Sequence, residues 1–100
     1  MSIPAVRWVS DSVSGVSPTE RAVLYFLADK ARSHDGVQQA WPSAGLIADR
    51  LGIERRTVYR CLKSLEAKAL ILRGNQNLSR YRGHGKRPVV WVLSVPENDA

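Results

Sequence analysis

The sequence predicts an α+β domain in which a core of three helices is followed by a β-hairpin, and three observations carry that prediction. Residues 43–65, SAGLIADRLGIERRTVYRCLKSL, read as two short helices joined by a tight turn at Gly52. Val58, Cys61, Leu62 and Leu65 fall at i, i+3, i+4 and i+7, one face of a helix, while Arg55, Arg56, Tyr59, Arg60 and Lys63 take the other face. Two apolar runs, 70–73 and 89–95, bracket a stretch rich in Gly and polar groups, the pattern of a hairpin.

Residues 1–16 form an N-terminal segment. Val6, Val9, Val13 and Val16 are spaced by 3, 4 and 3, which fits a short amphipathic helix, although the β-branched residues and Gly15 oppose it. Trp8 is either an anchor in the core or a dimer contact. The main domain spans 17–95, and residues 96–100 are a frayed tail. Ser17-Pro18-Thr19-Glu20 is a capping box with Pro at the first helical position. Behind it, Val23, Phe26, Leu27 and Ala31 form an inner stripe, widened by Leu24 and Ala28. This first core helix is expected to stop near Ser33, because His34-Asp35-Gly36 is turn chemistry.

Gln39-Ala40-Trp41 reads as one short strand. Ser43 is a good N-cap for the second core helix, and Gly52 supplies the left-handed residue that ends it. Ile53 is expected beneath the turn, with Glu54 as the cap of the third helix, about 55–68. In the second strand, Val89, Trp91, Leu93 and Val95 share one face, and Val90, Val92 and Ser94 the other.

Charge is unevenly placed. Residues 1–53 carry five bases and five acids, residues 54–95 carry ten bases and two acids (+8), and the tail adds −2, giving the net +6. A solvated surface mixes its signs more evenly, so a segment at +8 is the footprint of a polyanionic partner. No apolar run approaches the roughly 18 residues of a membrane span, and the first fifteen residues lack the plan of a signal peptide. A single cysteine excludes a disulfide framework and fits a reducing, cytoplasmic location; Cys61 is expected as a small core residue.

The run WPSAGLIADRLGIERRTVYRCLKSLEAKALI resembles the winged helix-turn-helix family found in phage and plasmid replication proteins and in many bacterial transcription regulators. The likeness extends over Pro18 to Ile71. It is carried by Trp41-Pro42-Ser43, Leu51-Gly52, Arg55-Arg56-Thr57-Val58, Arg60, and Leu65 followed by Ala69-Leu70-Ile71. The resemblance implies three helices followed by a β-hairpin wing. Two positions depart from it: Glu54 stands where Ser is usual at the helix cap, and Ala69 where Gly is usual before the strand. An Ala in the left-handed region costs on the order of 1 kcal/mol, so the third helix is expected to end differently by a residue unless that cost is borne.

A helix with an apolar back and a cationic front fits the major groove of B-DNA. Arg55 and Arg56 stand in its first turn, where an Arg pairs bidentately with guanine O6 and N7. Thr57 bonds a phosphate or offers its methyl group to thymine, and Tyr59 and Arg60, one turn on, reach a base edge or a phosphate. Lys63 is placed for the backbone, and the amides of Ser43 and Ala44 make a natural phosphate contact. In the wing, Arg73, Asn75, Asn77, Arg80, Tyr81, Arg82, His84, Lys86 and Arg87 are expected to meet phosphates, with an Arg probing the minor groove. The competing reading is a solvated helix face, with Glu66 paired to Lys63 three residues before it. The Gly52 turn and the basic loop favour nucleic acid.

No cofactor, metal or small-molecule ligand is expected, and no enzymatic activity. His34 and His84 lie 50 positions apart without companion ligands, and no phosphate-cradling glycine loop or nucleophile arrangement is present. The expected partner is double-stranded DNA, bound by a transcriptional regulator that pairs as a homodimer on a two-fold site. The DNA-binding domain of a replication initiator is the alternative, then an RNA binder or a protein–protein adaptor. No aromatic stacking platform supports the RNA reading, and a membrane-surface role would need the apolar face that the core requires.

Overall fold

Four helices and four short strands follow one another as α1 (Ile3–Asp11), α2 (Pro18–Lys30), β1 (Arg32–His34), β2 (Val37–Ala40), α3 (Ala44–Leu51), α4 (Arg55–Ala67), β3 (Ile71–Arg73) and β4 (Trp91–Leu93). The computed structural model describes residues 3–34, 36–74 and 89–96. The architecture is α+β, consistent with a winged helix.

The capping box at Ser17 starts α2. The Glu20 amide donates to Ser17 Oγ at 3.1 Å, and the Ser17 amide donates to Glu20 Oε1 at 2.8 Å. Helix α2 buries Val23, Leu24, Leu27 and Ala28, with Ala31 buried just past its end and Phe26 half-buried. It is the hub of the helical layer: α1, α3 and α4 all pack against it, and α3 also packs on α4. Helix α1 buries Ala5, Trp8 and Val9 in the same core, and Val13 follows in the connecting segment. Arg21 Nη1 donates to the Val9 carbonyl at 3.0 Å, tying the end of α1 to α2.

Helix α3 begins at Ser43, whose Oγ accepts from the Leu46 amide at 3.0 Å, and ends at Gly52 with φ +70°. Ile53 closes the turn by donating to the Ala48 carbonyl, but it is half-buried rather than covered. Glu54 occupies the N-cap position of α4 with extended backbone, yet its side chain makes no capping hydrogen bond. The side-chain cap expected there is therefore corrected: Glu carries one methylene more than the short oxygen-bearing residues that cap best.

At its far end α4 closes with a Schellman pattern. The Ala69 amide donates to Glu66 and the Leu70 amide to Leu65. This requires Ala69 at φ +59°, so the chain adopts the left-handed residue despite its Cβ, and the helix ends on schedule.

The strands form one antiparallel sheet in the order β1-β2-β4-β3. Strand β1 pairs with β2 through Arg32↔Gln39 and Ser33↔Gln38, β2 with β4 through Ala40↔Trp91, and β4 with β3 through Leu72↔Val92. Two expectations are corrected here. The first core helix stops at Lys30 and not near Ser33, because Ala31 turns extended and residues 32–34 pair in the sheet. The strand placed at 39–41 lies at 37–40, with Trp41 outside it. Gly36 at φ +78° lets the chain reverse between β1 and β2, a hairpin that Arg-Ser-His carries no apolar alternation to announce. Ile71, Trp91, Leu93 and Ala40 join the helical core from the sheet, so β3 and β4 are anchored in the core beside α4.

Candidate nucleic-acid interface

Helix α4 owes its two-faced character to the spacing of its residues. At about 100° per residue, positions 58, 61, 62 and 65 span about 100° of arc, and positions 55, 56, 59, 60 and 63 about 140° on the far side. Val58, Cys61, Leu62 and Leu65 are buried, and Arg55, Arg56, Tyr59, Arg60 and Lys63 are exposed. Tyr59 is 61% exposed, a large aromatic on the outward face. Thr57 is half-buried at the edge of this face. From Arg55 to Lys63 the helix rises about 12 Å at about 1.5 Å per residue, which matches the roughly 12 Å width of a B-DNA major groove.

Among the described residues, Arg55, Arg56, Arg60 and Lys63 form no ion pair, whereas the two basic residues that follow them are engaged. Lys68 Nζ donates to Glu20 Oε2 at 3.0 Å and to Oε1 at 3.1 Å. Arg73 Nε lies 3.9 Å from Glu66 Oε2, and its guanidinium lies 5.5 Å from the Trp91 ring centroid. Glu66 thus faces Arg73 rather than Lys63, a correction to the pairing expected along the helix. Strand β3 returns antiparallel to β4 beside the end of α4, which brings Arg73 within reach.

Arg55 does not stand free like its neighbour. An added Cβ on Gly45 of α3 would lie 2.9 Å from Arg55 Nη2, 3.2 Å from Cζ and 3.3 Å from Nε. The guanidinium therefore rests against the backbone of α3. Ser43 and Ala44 stand at the start of that same helix, with Ser43 exposed and its Oγ engaged as the cap. Of the wing residues named from the sequence, Arg73 is described; Asn75, Asn77, Arg80, Tyr81, Arg82, His84, Lys86 and Arg87 lie outside the described residues.

Sequence reasoning missed how α4 is held in place. Glu20 is nearly buried, and besides closing the capping box it accepts from the Ser64 hydroxyl of α4 and from Lys68 at the C-cap of that helix. The Ser64 hydroxyl, the Ser17 amide and the Lys68 ammonium, in that order, outweigh desolvation and hold its carboxyl down at about 2, from an ordinary 4.5. Ser64 in the last turn of α4 and Lys68 at its C-cap are four apart, the spacing that puts two residues on one side of a helix. That spacing was the signal available; the partner 44 residues upstream was not.

Burial pushes the Cys61 thiol up, Glu20 adds to the shift and Arg60 opposes it, so the thiol stays protonated within the core. No group of three or more His, Cys, Asp or Glu among the described residues could hold a metal ion. No helix among them is long and apolar enough to cross a membrane.

Compared with known families, residues 15–71 match one described as "Helix-turn-helix domain". Nothing among curated proteins and nothing among solved structures matches the chain.

Proposed function

The chain belongs to the helix-turn-helix domain family, and from that membership we propose that it binds double-stranded DNA sequence-specifically as a transcriptional regulator of phage, plasmid or bacterial origin. The observation that carries this reading is the outward face of α4. Four cations without ion-pair partners among the described residues, and an exposed tyrosine, sit on the helix that follows the Gly52 turn. Packing alone would not favour leaving that charge uncompensated beside more basic chain; a polyanion supplies the compensation.

In this reading α4 lies in the major groove. Arg56, Arg60, Tyr59 and Thr57 face base edges, Lys63 meets the backbone, and α3 crosses the phosphates through Ser43 and Ala44. The basic stretch 74–88 lies along the backbone or the adjacent minor groove. One such unit reads about one half-site, so a homodimer on a two-fold operator in the cytoplasm completes the proposal.

The test is selection from a random duplex pool, followed by fluorescence anisotropy on the recovered site. With six to eight phosphates engaged, log K against log salt should have a slope of about −5 to −7. A slope near zero, or a pool that yields no enriched sequence, would remove the proposal. A palindromic motif would support the dimer; a single half-site would argue for a monomer.

A further inference from the structure

We propose that Arg55 contacts the phosphate backbone and that Gly45 sets its aim, so that the first residue of the recognition helix positions the domain while Arg56 reads bases. The inference deepens the duplex-binding reading above and rests on it.

Gly45 lies in the first turn of α3, its φ is outside the left-handed region, and its backbone conformation therefore has no need of glycine. Glycine is also a poor helix former. What its absent side chain provides is room. Nη2, Cζ and Nε of Arg55 lie between 2.9 and 3.3 Å from the point a Cβ would occupy. Three atoms of one planar group at nearly equal distance mean that the guanidinium lies flat on α3 rather than pointing at it.

That placement turns Arg55 away from the radial direction of α4. In helix-turn-helix docking the recognition helix enters the groove, while the helix before it crosses the sugar–phosphate backbone. A guanidinium stacked on that preceding helix presents its N–H edge to the strand being crossed. Its planar fork matches phosphate oxygens. Arg56 is about 100° further round α4, is exposed and forms no ion pair among the described residues, and takes the base-reading role in this proposal.

The experiment compares wild type, Arg55→Ala, Gly45→Ala and the double variant on the selected duplex and on a scrambled duplex, across salt. Arg55→Ala should weaken both duplexes by the same factor, about tenfold, the scale of one charge-assisted hydrogen bond. It should also reduce the magnitude of the salt slope by about 0.9 and leave the base preference unchanged. Gly45→Ala should melt no lower than wild type, because Ala favours the helix and the atoms it meets are the tip of a flexible side chain. It should shrink the salt slope in the same direction, and adding Arg55→Ala to it should cost little more.

Loss of discrimination at one base pair with the slope intact in Arg55→Ala would overturn the inference and leave duplex binding standing. So would Gly45→Ala that leaves affinity and slope untouched. Failure of the unaltered chain to bind either duplex would instead overturn the functional reading itself.

Discussion

Replacing Glu20 with Gln tests whether the contact between α2 and α4 is electrostatic in the way its geometry implies. Gln keeps the length of the side chain and one carbonyl oxygen, enough for only one of the Ser17 amide on Oε1 and the Ser64 hydroxyl on Oε2, and loses the charge that Lys68 faces at 3.0 Å. The Glu20 carboxyl sits at about 2 in the folded chain against an ordinary 4.5. Each pKa unit corresponds to about 1.4 kcal/mol, so the depression is worth up to about 3.4 kcal/mol. The side chain of Glu20 is 11% exposed but that of Lys68 is 38% exposed, and solvent screening at the lysine reduces the figure to about 2–3 kcal/mol.

Because the folded value is depressed, this stabilisation is complete above the unfolded pKa and is lost as pH falls from about 4.5 through about 2. Urea denaturation followed by circular dichroism, at pH 7 and at steps down to pH 2.5, should show wild type above Glu20→Gln by about 2–3 kcal/mol at pH 7. The gap should narrow to about 1 kcal/mol near pH 3. At neutral pH the midpoint of thermal unfolding should fall by roughly 10–20 °C for a domain of this size. A gap that stays constant over that pH range would refute the reasoning, since it would trace the loss to shape or hydrogen bonding and not to the ionised carboxylate.

Four further outcomes follow from the helix termini, the exposed face of α4 and the basic stretch 74–88. Ala69→Gly removes the Cβ from a residue at φ +59°; relief of about 1–2 kcal/mol of steric cost, less the greater freedom of glycine in the unfolded chain, should stabilise by about 0.5–1 kcal/mol, read as a rise in the urea midpoint. Glu54→Ser places a short hydroxyl at a cap position whose present side chain makes no capping bond; thermal melts should show a gain of about 0.5–1 kcal/mol, and anisotropy should show tighter binding to non-specific duplex once the acidic group is gone. Arg56→Ala and Arg60→Ala should each cost roughly 1–3 kcal/mol on the selected site and relax preference locally. Arg82→Ala or Lys86→Ala should weaken every duplex alike, and identical behaviour of the two groups across random duplexes would rule out base readout.

Local chemistry was legible wherever a few adjacent residues decide the outcome. The capping box at Ser17, the Ser43 cap, the Gly52 turn and the buried stripe of α4 each depend on residues within one or two turns of one another, and each forms where the spacing places it. Legibility failed where pairing is decided at a distance. Arg32–His34 has no alternation, and it becomes a strand only because Gly36 reverses the chain onto β2. Glu54 illustrates a finer failure: the cap position follows from the end of one helix and the start of the next, but a side chain one methylene longer than the residues that cap best leaves that position without a capping bond.

The same limit explains why the candidate interface could be located but not apportioned from sequence. Counting charge gives +8 over residues 54–95, and counting cannot tell which of those cations the fold itself engages. Lys68 meets Glu20, which lies 48 residues upstream, and Arg73 meets Glu66 only because β3 turns back beside α4. Arg55 lies on Gly45 because the Gly52 turn sets α3 and α4 at the angle that brings them together. Subtracting these leaves Arg56, Arg60 and Lys63 as the described cations of α4 for which the described residues supply no ion pair. On the proposed duplex-binding reading, the contact that fixes Arg55 against α3, beside an Arg56 and an Arg60 with no ion pair among the described residues, would let one helix divide holding the duplex from reading it, since phosphate contacts position and base contacts specify.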